Sequence, residues 1–169
     1  HHSFGLLGIL LSRISGTDAG TYLERALFSP LGMVDTGYFV PPDRAPRLPA
    51  AYADEDGELI EREPAAGGFH IGPPPYDMSH GELLSTAPDY LRFLRALRDG
   101  ELIGAEHLAM LRTDQVPASA KQSDSFFPGF WENTGWGFGV SVATSGPHRG
   151  RWGWSGGSGT DFFVDPDGT

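Results

Sequence analysis

A glycine-rich stretch near the end of the chain contains the residues best suited to chemistry. It reads Gly150-Arg-Trp-Gly-Trp-Ser-Gly-Gly-Ser-Gly-Thr160 and continues into Phe162-Phe-Val164. Glycine has no Cβ, so a glycine-rich backbone can come within hydrogen-bond distance of a ligand. The neighbouring Trp, Phe and Val residues favour β-strands. We therefore expect this stretch to form one wall of an active site.

The same stretch contains Gly153-Trp-Ser155-Gly-Gly157, which matches the G-x-S-x-G pattern of a nucleophile elbow. An elbow requires a strand, a sharp turn and a helix, with an acidic residue and a histidine later in the chain. Here a second strand is predicted to follow, and no histidine lies beyond His148. We interpret the match as accidental.

Composition and charge narrow the classes of partner. The 169 residues, of which 39% are hydrophobic and 12% aromatic, are enough for one domain with a core. The net charge of −10 opposes binding to nucleic acid or to an anionic membrane surface. No run of the sequence is long and apolar enough to span a bilayer. The absence of cysteine and of His-x-x-x-His spacing disfavours a metal site, and no cofactor is expected.

Apolar spacing and capping signals predict four helices. A helix from Phe4 to Ser15 should be largely buried, because its apolar residues cover most of its surface. A second helix should begin at Thr17 or Asp18, run to about Phe28 and be broken by Pro30-Leu-Gly-Met33. The other two should run from the capping pattern Thr86-Ala-Pro-Asp89 to Gly100, with Asp89 as a cap, and from Ala105 to Arg112.

Alternating aromatic and β-branched residues predict the strands. Short strand candidates lie at Leu48 to Ala53 and Leu59 to Glu61. Three further strands, at Trp136 to Val142, Arg151 to Trp154 and Thr160 to Val164, should pair antiparallel in sequence order. Asp35 and Thr36 lie in a predicted turn, where short polar side chains bind nearby backbone.

The order of these signals resembles the serine β-lactamase-like family, which includes class C β-lactamases, DD-peptidases and related esterases. The resemblance rests on five segments: Ser15-Gly16, Pro30-Leu-Gly-Met-Val-Asp-Thr-Gly37, Leu83-Leu-Ser-Thr-Ala-Pro-Asp-Tyr-Leu-Arg-Phe93, Gly135-Trp-Gly-Phe-Gly139 and Trp152-Gly-Trp-Ser-Gly-Gly-Ser-Gly-Thr160. It implies an α+β fold in which an antiparallel sheet packs with helices. Residues 1–169 would then be an incomplete domain that lacks the N-terminal nucleophile portion and the C-terminal end.

Members of this family use a Ser-x-x-Lys nucleophile, a Tyr-x-Asn segment and a Lys-Thr-Gly triplet. The chain has one lysine, Lys121, and Ala118 stands three residues before it, so the nucleophile motif is absent from these residues. The resemblance puts the tyrosine just before His1 and makes His2 a substrate-binding candidate at the third position of that segment. The alternative is that His1 and His2 are a frayed terminus or the remainder of an affinity tag.

The third motif is present in altered form. Trp154-Ser155-Gly156 falls where the lysine triplet lies, and Gly157 follows as the residue whose N–H would complete the oxyanion hole. The resemblance thus makes Ser155 and Gly157 catalytic candidates, and Trp154 and Gly156 substrate-binding candidates. An indole cannot supply the charge with which lysine holds a substrate carboxylate.

The function implied is an esterase-type acyl hydrolase that acts on a small-molecule ester or amide through an acyl-enzyme. Two alternatives remain: a non-catalytic binding protein of this fold, and a penicillin-recognising DD-peptidase, which Trp154 disfavours. A loop with four aromatic residues is either an apolar wall for an acyl chain or a cover for the core: Phe126, Phe127, Phe130 and Trp131. His70, Tyr76 and His80 are weaker candidates for a pocket wall.

Overall fold

The computed structural model describes residues 2–75, 79–122 and 125–168, which fall into two compact units, residues 1–93 and 94–169. The α-helices are α1 (His2–Ser15), α2 (Ala19–Leu23), α3 (Ser29–Leu31), α4 (Ala87–Arg98) and α5 (Ala105–Leu111). The strands are β1 (Ala51–Glu55), β2 (Glu58–Glu63), β3 (Thr134–Trp136), β4 (Ser141–Ala143), β5 (Trp152–Ser155) and β6 (Asp161–Val164). Helices combined with antiparallel sheets confirm the predicted α+β class.

Helix α1 forms as predicted and ends at Gly16, whose φ of +71° suits a residue without a Cβ. The prediction that it is largely buried is wrong. Leu6, Leu10 and Ile14, four residues apart along one side, are 66%, 50% and 76% exposed. An apolar pattern shows what a helix can bury, but burial also requires a packing partner, and α2, which packs on α1, leaves this stripe open.

The second predicted helix forms as three joined segments. Asp18 caps α2 by accepting a hydrogen bond from the Thr21 N–H at 2.8 Å. A π-helical turn over Glu24–Phe28 then leads into α3. The helix continues past the predicted end at Phe28 because Pro30 occupies the first turn of α3, where no N–H is needed. It stops at Gly32, inside the predicted breaking segment.

Strands β1 and β2 form an antiparallel hairpin at shifted bounds relative to the two predicted strands. Asp56 and Gly57 connect them, and both have positive φ values of 54° and 88°. This is the backbone of a two-residue type I′ turn, which matches the twist of the flanking strands. The Asp-Gly pair therefore sets the register of the hairpin.

Asp89 on α4 is not the helix cap that the sequence predicts. The Thr86 hydroxyl takes that role by accepting a hydrogen bond from the Asp89 N–H at 3.4 Å. The Asp89 carboxylate is 2% exposed and accepts from the Asp35 N–H at 2.7 Å and the Thr36 hydroxyl at 3.1 Å. The Asp89 carboxylate thus fixes the turn that contains Asp35 and Thr36, where the sequence predicted that short polar side chains would bind nearby backbone.

The second unit contains one antiparallel sheet in the order β3-β4-β5-β6. The predicted sequence order of the strands is confirmed, but the single strand predicted at Trp136 to Val142 is two strands. Gly137 and Val140 close a turn between them through a 2.8 Å hydrogen bond, and Gly139 has a φ of +88°. The buried hydrophobic residues of this unit include Ala96, Leu97, Leu108, Val140, Val142, Trp152 and Val164.

Among the residues described, no helix has both the length and the apolar character needed to cross a membrane.

Candidate active site

The end of β5 brings together four of the predicted site residues. β5 lies between β4 and β6, with Trp154 opposite Phe162 and Ser155 opposite Asp161. Beyond Ser155 the chain turns back to β6, and the Gly156 N–H donates to the Thr160 carbonyl at 2.6 Å. Trp154 is half-buried, whereas Ser155, Gly156 and Gly157 are exposed. The strand end therefore presents its polar backbone at the surface.

Gly153 allows β5 and β6 to pair closely. A Cβ at this position would lie 2.7 Å from the Phe163 Cα and closer still to the Phe162 carbonyl oxygen. Its carbonyl accepts a 2.8 Å hydrogen bond from the Ser141 hydroxyl, which ties β4 to β5. Because β6 follows β5, the strand–turn–helix geometry of a nucleophile elbow does not form around Ser155.

Gly157 presents a backbone N–H group to open space. A Cβ at Gly157 would meet no atom within 4 Å, and its φ lies outside the left-handed region. Within the described ranges, the Gly157 N–H makes no hydrogen bond to another part of the chain. An exposed, unbonded N–H at a strand end is a donor that can hold a ligand oxygen.

An aromatic wall stands beside this strand end, formed by Phe126, Phe127, Phe130 and Trp154. Ring centroids of Phe126 and Phe130 lie 5.8 and 6.4 Å from that of Trp154. Phe126 also lies 5.0 Å from Phe127 and 4.8 Å from Phe130. Phe126 and Phe127 are 65% and 52% exposed, so these two rings do not cover the core.

A cavity of about 580 Å³ lies between the aromatic wall and the sheet. Its size is typical of small-molecule sites, and Trp154 and Ser155 belong to its lining. The charged groups in the lining are Arg151 and Asp161.

The positive charge of Arg151 is already neutralised. Its guanidinium donates two hydrogen bonds to the Asp165 carboxylate, at 2.8 and 2.7 Å, and lies 4.0 Å from the Phe163 ring centroid. The hydrogen bond from Arg151 lowers the pKa of Asp165. Asp161, on the edge nearest Ser155, is exposed. Because Arg151 is paired, the charge available to a ligand in this cavity is the negative charge of Asp161.

Asp114 fixes the backbone of Trp136, whose ring packs against Trp154 of the aromatic wall. It accepts hydrogen bonds from the N–H groups of Trp136 and Val116, each at 3.1 Å, and pairs with Lys121. Burial raises the pKa of Asp114, but these bonds outweigh burial and the pKa is lowered. The Trp136 ring in turn meets Trp154 edge to face at 4.6 Å. Sequence reasoning missed Asp114, because no periodic pattern marks a loop carboxylate whose partners are distant in the chain.

The remaining predicted residues lie in the first unit. His2 is the exposed first residue of α1 in the first unit, and its role in substrate binding stays a prediction.

A second cavity of about 870 Å³ lies in the first unit, and its Asp35 carboxylate is held by Arg44 and Arg47. His70 and His80 line neither cavity, and Tyr76 lies outside the described residues. Over the same described ranges, no three metal-ligating side chains cluster.

Comparison with known proteins gives a consistent family assignment. A family model described as Beta-lactamase matches residues 2–168. Protein Rv1367c of Mycobacterium tuberculosis (strain ATCC 25618 / H37Rv) is 33% identical over 98% of this chain and 45% of its own length. The uncharacterized protein MT1414 of strain CDC 1551 / Oshkosh matches with the same identity and coverage. The chain thus spans about half the length of the curated relatives it matches.

Solved structures with the same fold include three proteins that differ in activity. EstCE1, a hydrolase with promiscuous acyltransferase activity, has a TM-score of 0.78 and 23% identity over 97% of this chain and 47% of its own. The LovD6 mutant of simvastatin synthase from Aspergillus terreus has a TM-score of 0.75 and 20% identity, covering 95% and 44%. The D-amino acid amidase of Ochrobactrum anthropi SV3 has a TM-score of 0.60 and 23% identity, covering 98% and 46%. At these identities the likeness shows the fold.

Proposed function

Because this chain belongs to the Beta-lactamase family, we propose that it supplies the oxyanion-binding strand and the acyl-binding side of a serine hydrolase acting on small-molecule esters or amides. The observation that carries the proposal is the exposed, unbonded Gly157 N–H on the turn that follows Trp154 and Ser155, two residues that line the cavity. The nucleophilic serine and its lysine belong to a segment outside these 169 residues.

The proposed chemistry proceeds in two steps. The serine oxygen attacks the carbonyl carbon of the substrate and loses its proton to a neighbouring base. The carbonyl π electrons move to oxygen, and the resulting oxyanion accepts a hydrogen bond from the Gly157 N–H. Collapse expels the alcohol or amine, which takes up the proton, and leaves an acyl-enzyme. Water then attacks the acyl carbon in the same way and releases the carboxylic acid.

Trp154 favours an esterase over a carboxylate-recognising peptidase. Lysine at the first position of the triplet would provide a cation for a substrate carboxylate, whereas the indole of Trp154 packs against Trp136 and Phe126. The one lysine of the chain, Lys121, pairs with Asp114. EstCE1, a hydrolase with acyltransferase activity, and the D-amino acid amidase support acyl transfer as the chemistry of this fold.

A non-catalytic binding protein is the second candidate, favoured by the absence of Ser-x-x-Lys from these residues. The deciding experiment expresses the chain together with the coding region that precedes it and mixes the product with p-nitrophenyl acetate. We expect a burst of p-nitrophenol and an acetyl adduct on one serine, seen by mass spectrometry. A folded product that gives neither would overturn the hydrolase proposal. The 169-residue chain alone should show no turnover above background.

The role of Gly157 is tested by a matched pair of variants in that longer protein. Gly157→Pro removes the N–H donor and should lower the acylation rate by about 10²-fold or more. Gly157→Ala keeps the donor and adds a Cβ in open space, so its acylation rate should stay close to wild type. Equal acylation rates for wild type and a folded Gly157→Pro protein would show that this strand does not stabilise the oxyanion.

A further inference from the structure

We propose that the cavity beside the aromatic wall holds the acyl group of the substrate and selects neutral aromatic acyl groups over those that carry a carboxylate. The identification of the ligand as an acyl group rests on the proposed function. The preference for a neutral aromatic ligand rests on the cavity alone.

The backbone of Phe126 is the first observation. Its φ is +73°, a left-handed conformation that is unfavourable for a bulky residue. The ring is 65% exposed, so burial does not offset this cost. Strained residues persist where the surroundings hold them, and they are common at ligand sites. Here the strained backbone places the Phe126 ring against Phe127, Phe130 and Trp154.

The geometry of the rings is the second observation. Phe127 and Phe130 meet edge to face at 5.0 Å, and Phe130 and Trp154 do so at 6.4 Å. Both pairs have the edge-to-face arrangement that aromatic rings favour, and all three residues line the cavity, so an aromatic ligand can extend the same packing. The cavity volume of about 580 Å³ exceeds the needs of a single phenyl group.

The position of the cavity identifies the part of the substrate that enters it. Trp154 and Ser155 line the cavity, and Gly157 lies two residues beyond Ser155 on the same turn. Two residues of chain span at most about 7 Å, so a substituent on a carbonyl carbon bound at Gly157 can reach the edge of the cavity at Ser155. Of the two substituents on that carbon we assign the acyl chain to the cavity, because the acyl chain stays bound after the leaving group departs.

Charge is the third observation. Arg151 is occupied by Asp165, and Asp161 contributes an exposed carboxylate on the Ser155 side of the cavity. A ligand carboxylate entering the cavity would meet a like charge and find no free cation among the described lining residues. A neutral aromatic group carries no charge for Asp161 to repel and can pack against the rings.

The test measures binding to the 169-residue chain, without catalysis. Methyl phenylacetate and methyl 4-carboxyphenylacetate are titrated separately, with tryptophan fluorescence and backbone amide NMR shifts over residues 152–164 as readouts. We expect the neutral ester to bind at this site, and the carboxylate ester to bind about tenfold more weakly. Asp161→Asn should reduce that difference.

Phe126→Gly separates ligand binding from a structural role. Glycine accepts the positive φ, so the melting temperature should be unchanged or higher, while loss of the ring should weaken methyl phenylacetate binding by about fivefold. Phe138→Ala is the control, because Phe138 is an exposed phenylalanine of the same unit that does not line the cavity, and binding should not change.

The outcomes distinguish the two proposals. Wild-type protein that binds neither ester, binds both equally, or binds as well after Phe126→Gly overturns the acyl-site inference. Selective binding by the chain, combined with no acyl-enzyme in the longer protein, would overturn the hydrolase proposal and leave the neutral aromatic site in place.

Discussion

At the scale of single residues, two glycines four positions apart differ in the space around them. Gly153 lies where β5 and β6 pair too closely for a side chain, with the Phe163 Cα 2.7 Å from an added Cβ. A Cβ added at Gly157 would meet no atom within 4 Å. The first glycine therefore sets the sheet geometry, and the second is free to meet a ligand.

Gly153→Ala should lower the free energy of unfolding by about 1–3 kcal/mol, because the atoms it meets are backbone and cannot rotate away. Gly157→Ala should change it by less than about 0.5 kcal/mol. Urea unfolding followed by circular dichroism measures both. Equal urea midpoints for the two variants would contradict the close strand approach at Gly153.

Asp114 should make the free energy of unfolding depend on pH at and below its usual pKa of 3.8. Its pKa in the folded chain lies below the usual value of 3.8, so the ionised form is favoured by folding. The resulting stabilisation is present above the unfolded pKa and is lost as the pH falls through the lower, folded pKa. Asp114→Asn removes this contribution. The difference in urea midpoint between wild type and Asp114→Asn should be steady near neutral pH and should shrink below pH 3.8.

At the scale of elements, α4 is fixed to the turn at residues 35–36 through one buried carboxylate. Asp89→Ala would leave the Asp35 N–H without its acceptor, while the Thr36 hydroxyl would keep its 2.8 Å hydrogen bond with the Ser85 hydroxyl. We expect a loss of about 1–3 kcal/mol in the free energy of unfolding, the cost of a buried polar group left unsatisfied. Asp89→Asn keeps one oxygen acceptor and should cost less. Similar urea midpoints for Asp89→Ala and wild type would contradict this anchoring role.

The elements also show how far sequence reasoning reaches. The order of β5 and β6 was predictable, because aromatic and β-branched residues flank a short glycine turn. The separation of β3 from β4 was missed, because Phe138 and Val140 continue the alternation of a strand while Gly137 and Gly139 make the turn. The aromatic wall was predicted only as one of two options. Its exposure depends on packing, which local pattern does not report.

At the scale of the whole molecule, the exposed stripe on α1 is the largest departure from expectation. Leu6, Leu10 and Ile14 form an apolar row on a chain whose net charge is −10. Exposed apolar rows favour association, whereas like net charge opposes it. Salt screens the charge and leaves the apolar attraction in place.

The isolated chain should therefore associate more as salt concentration rises, which sedimentation velocity would measure. Replacing Leu6 and Ile14 by Gln should suppress the association. Leu59→Gln is the control, because Leu59 is 73% exposed on β2 but lies outside the row. Association that is unaffected by the α1 changes would show that another surface is responsible.

The loop that carries most of the aromatic wall and the end of β5 with its glycine turn lie on separate stretches of sequence. Residues 125–131 carry three of the four rings, and β5 with its turn carries the backbone donor. The two stretches meet through ring contacts with Trp154. Exchange of the loop should therefore change which acyl groups the proposed site accepts without altering the proposed backbone donor at Gly157. For directed evolution, residues 125–131 are the place to diversify preference, while residues 152–157 are kept constant.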